Sequence, residues 1–396
     1  MEEKVLDTLV VGGGAAGLAT AIGLAQRGLK TEVIGVPQEI RDDSRSAALF
    51  ATTLDFLDTL GLAAPLKKAG WPLAAIRLID ITGALVRSPT TTFKAAEIGQ
   101  PLFGYNIPNA TILKLFREAA EGTENLAISS AFVEGFRETG DHLLVTLSDG
   151  TERRTRILIG ADGQKSRVRE AAGITHRVKP YPQSAITCRL KHTKDHEDIS
   201  LEFHTREGPF TFVPVGDHES ALVWIMKPER TEEKLAKSRE ALAQEITRRS
   251  AAALGSVEII GNIGCVPLQK LVADKLVEGR VALVGEAAHA FPPIGAQGLN
   301  LGLKDVEALV KRLGEAKGAG KPLESALPAY AKDRKVDVEM RSAGVDMLNS
   351  ALIADLLPFD IARAVGLTAM KDIGPLRRLA MKVGGWNPLF GTKGAA

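Results

Sequence analysis

Apolar positions arrive in short bursts at the start of the chain. Leu6 to Val11 reads as a buried strand, and the Ala-rich stretch from Ala15 to Arg27 predicts a tightly packed helix. Gly28 follows as a C-terminal stop, and Thr31 to Ile34 predicts a second short strand. A strand, helix and strand in this order form a βαβ unit, whose right-handed crossover puts both strands in one parallel sheet. Residues 71–105 and 181–265 read differently. Apolar and polar residues alternate there, as in Thr211-Phe212-Val213-Pro214 and Ala221-Leu222-Val223-Trp224, with turn signals such as Gly216-Asp217 between runs. They predict a mostly antiparallel sheet, interrupted by a helical period from Glu232 to Ala253. The αβ pattern resumes at Arg280, and beyond Leu323 the pattern is helical. The expected fold class is α/β: a Rossmann-like nucleotide domain in three stretches (1–70, 106–180 and 266–330), an inserted substrate domain (71–105 and 181–265) and a C-terminal helical region (331–396).

At 396 residues the chain exceeds one core and suits about two domains. A net charge of +2 gives no argument for nucleic acid, and an apolar fraction of 45% is ordinary for a globular protein. No apolar run reaches the eighteen or so residues of a membrane span, and the acidic start MEEKVLD does not resemble a secretory signal. Cys188 and Cys265 form neither a CxxC pair nor a disulfide framework, so the cytosol is the expected compartment.

Three segments carry chemistry. The first is Gly12-Gly13-Gly14-Ala15-Ala16-Gly17, a GxGxxG between strand and helix. Gly12 permits the turn, Gly14 lets backbone approach a pyrophosphate, and Gly17 lets helix and strand close up. The anion would rest on the helix N-terminus. The acidic residue that usually follows the second strand is missing: Gly35 stands there, and neither Glu32 nor Glu39 is a clean substitute. Arg45 is placed to meet a phosphate or stack on adenine; Arg41 reads equally well as a solvated loop residue. The second segment is Gly160-Ala161-Asp162-Gly163, then Ser166-Arg167-Val168-Arg169; on composition alone its Asp is a helix cap. The third runs from Arg280 through Gly285-Glu286-Ala287-Ala288-His289 and Phe291-Pro292-Pro293-Ile294-Gly295-Ala296-Gln297-Gly298 to Leu299-Asn300-Leu301-Gly302. Glycines there bare the backbone to a planar ligand, and a helix starting near Leu299 would aim its N–H groups at charge gathering on that ligand. His289 is alone in its segment and reads as structural, and no Ser-His-Asp or metal-ligand set occurs.

In order and spacing, GGGAAG at 12–17, GADG at 160–163 and GEAAHAFPPIGAQGLNLG at 285–302 resemble the single-component aromatic hydroxylases among the flavin monooxygenases, the group typified by 4-hydroxybenzoate hydroxylase. The resemblance spans roughly residues 5–345. The run HAFPPIGAQGLNLGLKD from His289 to Asp305 is most similar to the ubiquinone-biosynthesis hydroxylases, as is Gly208-Pro209-Phe210 leading through Pro214 to Val223-Trp224.

The resemblance implies a tightly bound FAD. Gly12, Gly14 and Gly17, with Ala15 and Ala16, would hold its pyrophosphate, and Arg45, Asn109, Asp162, Gly163, Gly285 and Glu286 would make further contacts. Glu286 stands where the family usually has Asp, one methylene longer, facing the ribityl chain. Gly295, Gly298 and the backbone N–H groups of Leu299 and Asn300 would face the flavin, and the Pro292 and Pro293 carbonyls the substrate's reacting edge.

It also implies NAD(P)H as a transient donor, since one dinucleotide fingerprint is present, and O2 as co-substrate; a flavin C4a-hydroperoxide would oxygenate an electron-rich ring. The implied substrate is a prenylated phenol of ubiquinone biosynthesis. A small soluble aromatic acid is the alternative, and an accessory flavoprotein of a biosynthetic complex, without turnover, is another. Phe212 and Trp224 would roof the substrate, against the plainer reading of core aromatics. A helix over Pro375–Trp386, with Leu376, Leu379 and Val383 opposite Arg377, Arg378 and Lys382, would lie on a membrane's inner face or a partner, or dock on the chain itself.

Overall fold

The computed structural model describes residues 5–40, 43–83, 88–293, 297–353, 366, 368 and 372–381. The strands Leu6–Val11 and Thr31–Ile34 and the helix Ala15–Ala25 form where the apolar runs placed them. They belong to a sheet whose central order is 277–278, 281–283, 152–160, 6–11, 31–34, 126–128. Leu6–Val11 pairs in parallel with Glu152–Gly160 on one side and Thr31–Ile34 on the other. Strands buried on both faces need no strict alternation, and the ends of these strands nearest the crevice, Leu9–Val11 and Val33–Ile34, are apolar and buried. Leu18 and Ile22 of helix Ala15–Ala25 pack with Leu303, Val306 and Val310 of helix Gln297–Gly318 on one face. On the other face lie Leu9, Leu158, Val168 and Leu283.

A second sheet, eight-stranded among the described residues, runs 289–290, 257–273, 176–192, 219–226, 209–216, 199–204, 75–80, 91–94. It is antiparallel except where Ile199–His204 pairs in parallel with Ala75–Asp80. Helix Arg239–Arg249 falls inside the helical period expected from Glu232 to Ala253, and helix Pro228–Leu235 begins four residues before it. The two long strands, His176–His192 and Val257–Ala273, run past positions 181 and 265, where the sequence pattern changes, and Val272 pairs with His289. This register carries the second sheet up to the third motif. A small sheet of Ser46–Phe50, Gly104–Pro108 and Trp71–Leu73 completes the junction.

The roofing role expected for Phe212 and Trp224 is corrected here. Both are fully buried beside Phe210, Leu242 and Ile246, on the face covered by helix Arg239–Arg249. Side chains alternate across a strand, so Thr211 and Val223 take the opposite face. That face is turned to the nucleotide domain, because the Thr187 hydroxyl, in register with Val223, meets Ser44 Oγ at 2.8 Å.

Helix Gly374–Met381 docks on the chain. Met381 is buried among Phe50, Leu73, Phe93 and Phe103, and Arg377 pairs with Glu97 at 2.6 Å. Ile373, Leu376 and Leu379 remain exposed. Lys382, Val383 and Trp386 lie outside the described residues. No helix among the described residues is long and apolar enough to cross a membrane.

Candidate active site

The three motifs meet at the C-terminal ends of the parallel strands, the crevice where open α/β sheets bind ligands. Gly12 has φ +122°, and a Cβ there would lie 2.3 Å from the Ala161 carbonyl oxygen, so the first motif passes directly beneath the second. A Cβ on Gly17 would lie 1.8 Å from the Gly12 carbonyl. Gly14 differs: it is exposed, and its Cβ would meet no protein atom within 4 Å. It is the N-cap of helix Ala15–Ala25 and supplies no capping side chain, so the first-turn N–H groups, including those of Ala15 and Ala16, open onto this space. Gly35 has φ +75°, a conformation suited to glycine. Glu32 is buried and accepts from Arg153 Nε at 2.8 Å, which removes it from any ribose.

In the second motif the N-cap of helix Arg167–Ala171 is Ser166, which accepts from Arg169 N–H at 2.9 Å, and Asp162, the cap that composition suggested, reinforces the same helix start. Its Oδ2 accepts from the backbone N–H of Arg167 (2.8 Å) and Val168 (3.2 Å), while Gly163 turns at φ +79°. Its Oδ1 is buried without a partner among the described residues. Buried Arg169, which the sequence reading gave no role, ties this loop to the third motif: its guanidinium donates to the Gln164 carbonyl at 2.7 Å and the Ala287 carbonyl at 2.8 Å.

Gly285 (φ +62°) packs against both neighbours. Its Cβ would lie 3.0 Å from Ala16 Cβ, and a Cβ on Gly302 would lie 3.1 Å from Gly285 Cα. Glu286 is exposed at this junction and accepts from Gln164 Nε2 at 3.3 Å. Arg45 does not stand free. Its guanidinium grips Asp43 (2.8–3.1 Å), and that hydrogen bond, with Glu286 adding to it, raises the Arg45 pKa above its ordinary value. Asp43 also accepts from Asn109 Nδ2 at 3.2 Å, leaving Asn109 Oδ1 buried and without a partner among the described residues. Arg41 and Gly295 lie outside the described residues.

The Asn300 side chain is structural: it accepts from Phe50 N–H and Thr53 Oγ1 and donates to the Ala48 carbonyl, fixing the start of helix Ala51–Asp58. Gly298 and Leu299 stand in the first turn of helix Gln297–Gly318. Leu299 packs on the core, while Gly298 opens onto free space. Pro292 is buried and Pro293 exposed.

Behind the third motif lies a buried ionic cluster that the sequence reading missed. Asp305, inaccessible to solvent, accepts from Gly285 N–H at 3.0 Å and Arg334 Nε at 2.7 Å, and lies 2.7 Å from His289 Nε2. The structural reading of His289 fits this place. Burial pushes the Cys188 thiol up to about 12, so it packs and does not attack.

A profile of the FAD binding domain family matches residues 5–340. The chain belongs to this family of FAD-dependent monooxygenases. The flavoprotein is 34% identical to ubiquinone hydroxylase UbiL of Rhodospirillum rubrum over 96% of this chain and 89% of the relative. It is 30% identical to 3-demethoxyubiquinol 3-hydroxylase of Escherichia coli over 96% of this chain and 99% of that one. Its fold matches p-nitrophenol 4-monooxygenase PnpA of Pseudomonas putida with a TM-score of 0.81 and 19% identity, covering 97% and 99% of the two chains. The open space over Gly14, the capless helix and the partnerless oxygens of Asn109 and Asp162 fit a dinucleotide that supplies acceptors at one end and donors along its length.

Proposed function

We propose that this flavoprotein hydroxylates the aromatic ring of a prenylated phenol in ubiquinone biosynthesis, with NAD(P)H as electron donor and O2 as co-substrate. The observation that carries the reading is the near full-length likeness to UbiL, together with the three motifs assembled at one crevice. When bound, FAD supplies the oxygen activation. In this reading the chain's own part is to hold the cofactor through Gly12, Gly14, Gly17, Arg45, Asn109 and Glu286, to exclude water and to orient the ring. The second sheet supplies the facing wall: Thr187, Val223, Thr211, Glu202 and Leu78 stand in one register row on the side turned to the nucleotide domain. This row offers hydroxyls, apolar carbon and one carboxylate, paired with His204 at 2.8 Å, and the arginine beside it on the same face, Arg189, is paired with Glu219. It favours a neutral phenol over an aromatic acid. Pro292 and Pro293 carbonyls complete the substrate edge in this reading.

The test is NAD(P)H consumption with and without phenols, followed by mass spectrometry of the products. Prenylated phenols are expected to stimulate oxidation and to leave one oxygen atom heavier; stimulation by soluble aromatic acids alone moves the substrate to that class. Bound flavin with no stimulation by any phenol supports an accessory role in its place.

We also propose peripheral contact with the membrane that dissolves such a substrate, through exposed Ile373, Leu376 and Leu379 beside Arg378. Replacing Leu376 and Leu379 together by Glu is expected to abolish flotation of the full chain with anionic liposomes. Flotation unchanged in this variant removes the helix from the contact.

A further inference from the structure

Glu286 has one more rotatable bond than the Asp its family usually carries, so on binding a cofactor it has more freedom to lose. Three polar side chains stand in line at this point. Gln269, on strand Val257–Ala273 of the second sheet, donates Nε2 to Gln164 Oε1 at 2.7 Å. Gln164 in turn donates Nε2 to Glu286 Oε2 at 3.3 Å. With its oxygen taken by a donor, the Gln164 amide has only its NH2 left to offer, so the second sheet sets which end of the amide faces the carboxylate. The loops themselves do not depend on these bonds. Arg169 already clamps the Gln164 and Ala287 carbonyls from beneath, and Asp305 holds Gly285 N–H. The Gln164–Glu286 bond therefore fixes a side chain, not a loop.

We propose that Gln164 is a positioning residue for FAD binding: it holds the long Glu286 side chain in place for the ribityl hydroxyls, and Gln269 sets the Gln164 amide. Glu286 thereby loses its extra freedom before the cofactor arrives, and preorganisation of this kind slows release. The proposal rests on the reading that Glu286 contacts FAD. It also links the substrate-side sheet to the cofactor through three side chains.

The test is FAD dissociation from the full-length holoprotein, read as the rise of flavin fluorescence on dilution. Wild type is compared with Gln164→Leu, Glu286→Asp and the double variant. Gln164→Leu alone is expected to speed release about five- to tenfold, the loss of one long, exposed hydrogen bond of ordinary net strength. In the Glu286→Asp background the same change is expected to do nothing, because the shorter carboxylate does not reach the amide. Gln269→Leu is expected to speed release by a smaller factor. The thermal midpoint of flavin-free protein should be unmoved by Gln164→Leu, which separates positioning from a structural role. Equal acceleration in both backgrounds, or none in wild type, overturns the proposal. Glu286→Ala releasing FAD no faster than wild type overturns the ribityl reading beneath it.

Discussion

Gly14→Val is expected to give a folded protein that has lost its flavin. A Cβ at this position meets no protein atom within 4 Å, so the fold has no reason to respond. The same space lies at the N-terminus of helix Ala15–Ala25, where the first-turn N–H groups have no side-chain cap. A branched side chain there fills the place a pyrophosphate must take and leaves those donors without their acceptor. Removing a charged hydrogen-bond partner costs about 1.5–3 kcal/mol, and a steric block adds to it, so FAD affinity should fall on the order of a hundredfold or more. The checks are the flavin absorbance of the purified protein and its circular dichroism. Gly17→Ala is the contrasting case: its Cβ falls 1.8 Å from the Gly12 carbonyl, so the helix must move off the strand and stability is lost with the cofactor. Retention of flavin by Gly14→Val, with wild-type affinity, would take the pyrophosphate away from the first motif.

Asp305→Ala should produce the largest loss of stability. Asp305 is inaccessible to solvent and holds three partners, Gly285 N–H, His289 and Arg334. Without it Arg334, itself buried, keeps Asp337, at 2.8 Å, as its ion-pair partner among the described residues. Stranding a buried charge costs about 3–5 kcal/mol, which lowers the melting temperature by roughly 4–6 °C in a chain of this length. Removing the stranded partner as well, in Asp305→Ala/Arg334→Met, should recover part of that loss. If the double variant melts lower than Asp305→Ala, the pair does not carry the stability assigned to it.

This carboxylate also sets an acid limit. Burial raises the Asp305 pKa, but the charge and hydrogen bonds of His289 and Arg334 outweigh it, so the folded value lies below the ordinary carboxylate range. A group with a depressed folded pKa contributes fully above its unfolded value, near 4, and that contribution drains away as pH falls through the folded value. Acid unfolding curves of wild type and Asp305→Ala should therefore converge at low pH and diverge toward neutrality.

Much of the candidate crevice's geometry was legible because its signals are local. Gly12, Gly14 and Gly17 sit at fixed steps around one strand-to-helix joint, where turn, approach and close packing each exclude a side chain. The opening βαβ unit, the helical interruption of the second sheet and the hydrogen bonds of Asp162 to the next helix start follow from periodicity or from residues a few positions apart. The side of the second sheet on which Trp224 falls does not. Strand alternation states that Val223 and Trp224 take opposite faces, and only the position of helix Arg239–Arg249 decides which of them is core. Asn300 shows the same limit: a polar residue beside the crevice, its side chain is spent on Ala48, Phe50 and Thr53, some 250 positions earlier.

By itself, then, the sequence determined the fold class, the nucleotide joint and the family, since these depend on spacing along a few turns of chain. Tertiary structure alone decided that Arg169 clamps two loops, that Asp305 and Arg334 form the buried pair behind them, and that Gln164 stands against Glu286. Each of these joins residues far apart in the chain, and a charge or an amide finds its partner only after hydrophobic packing has fixed the distance between the elements that carry them.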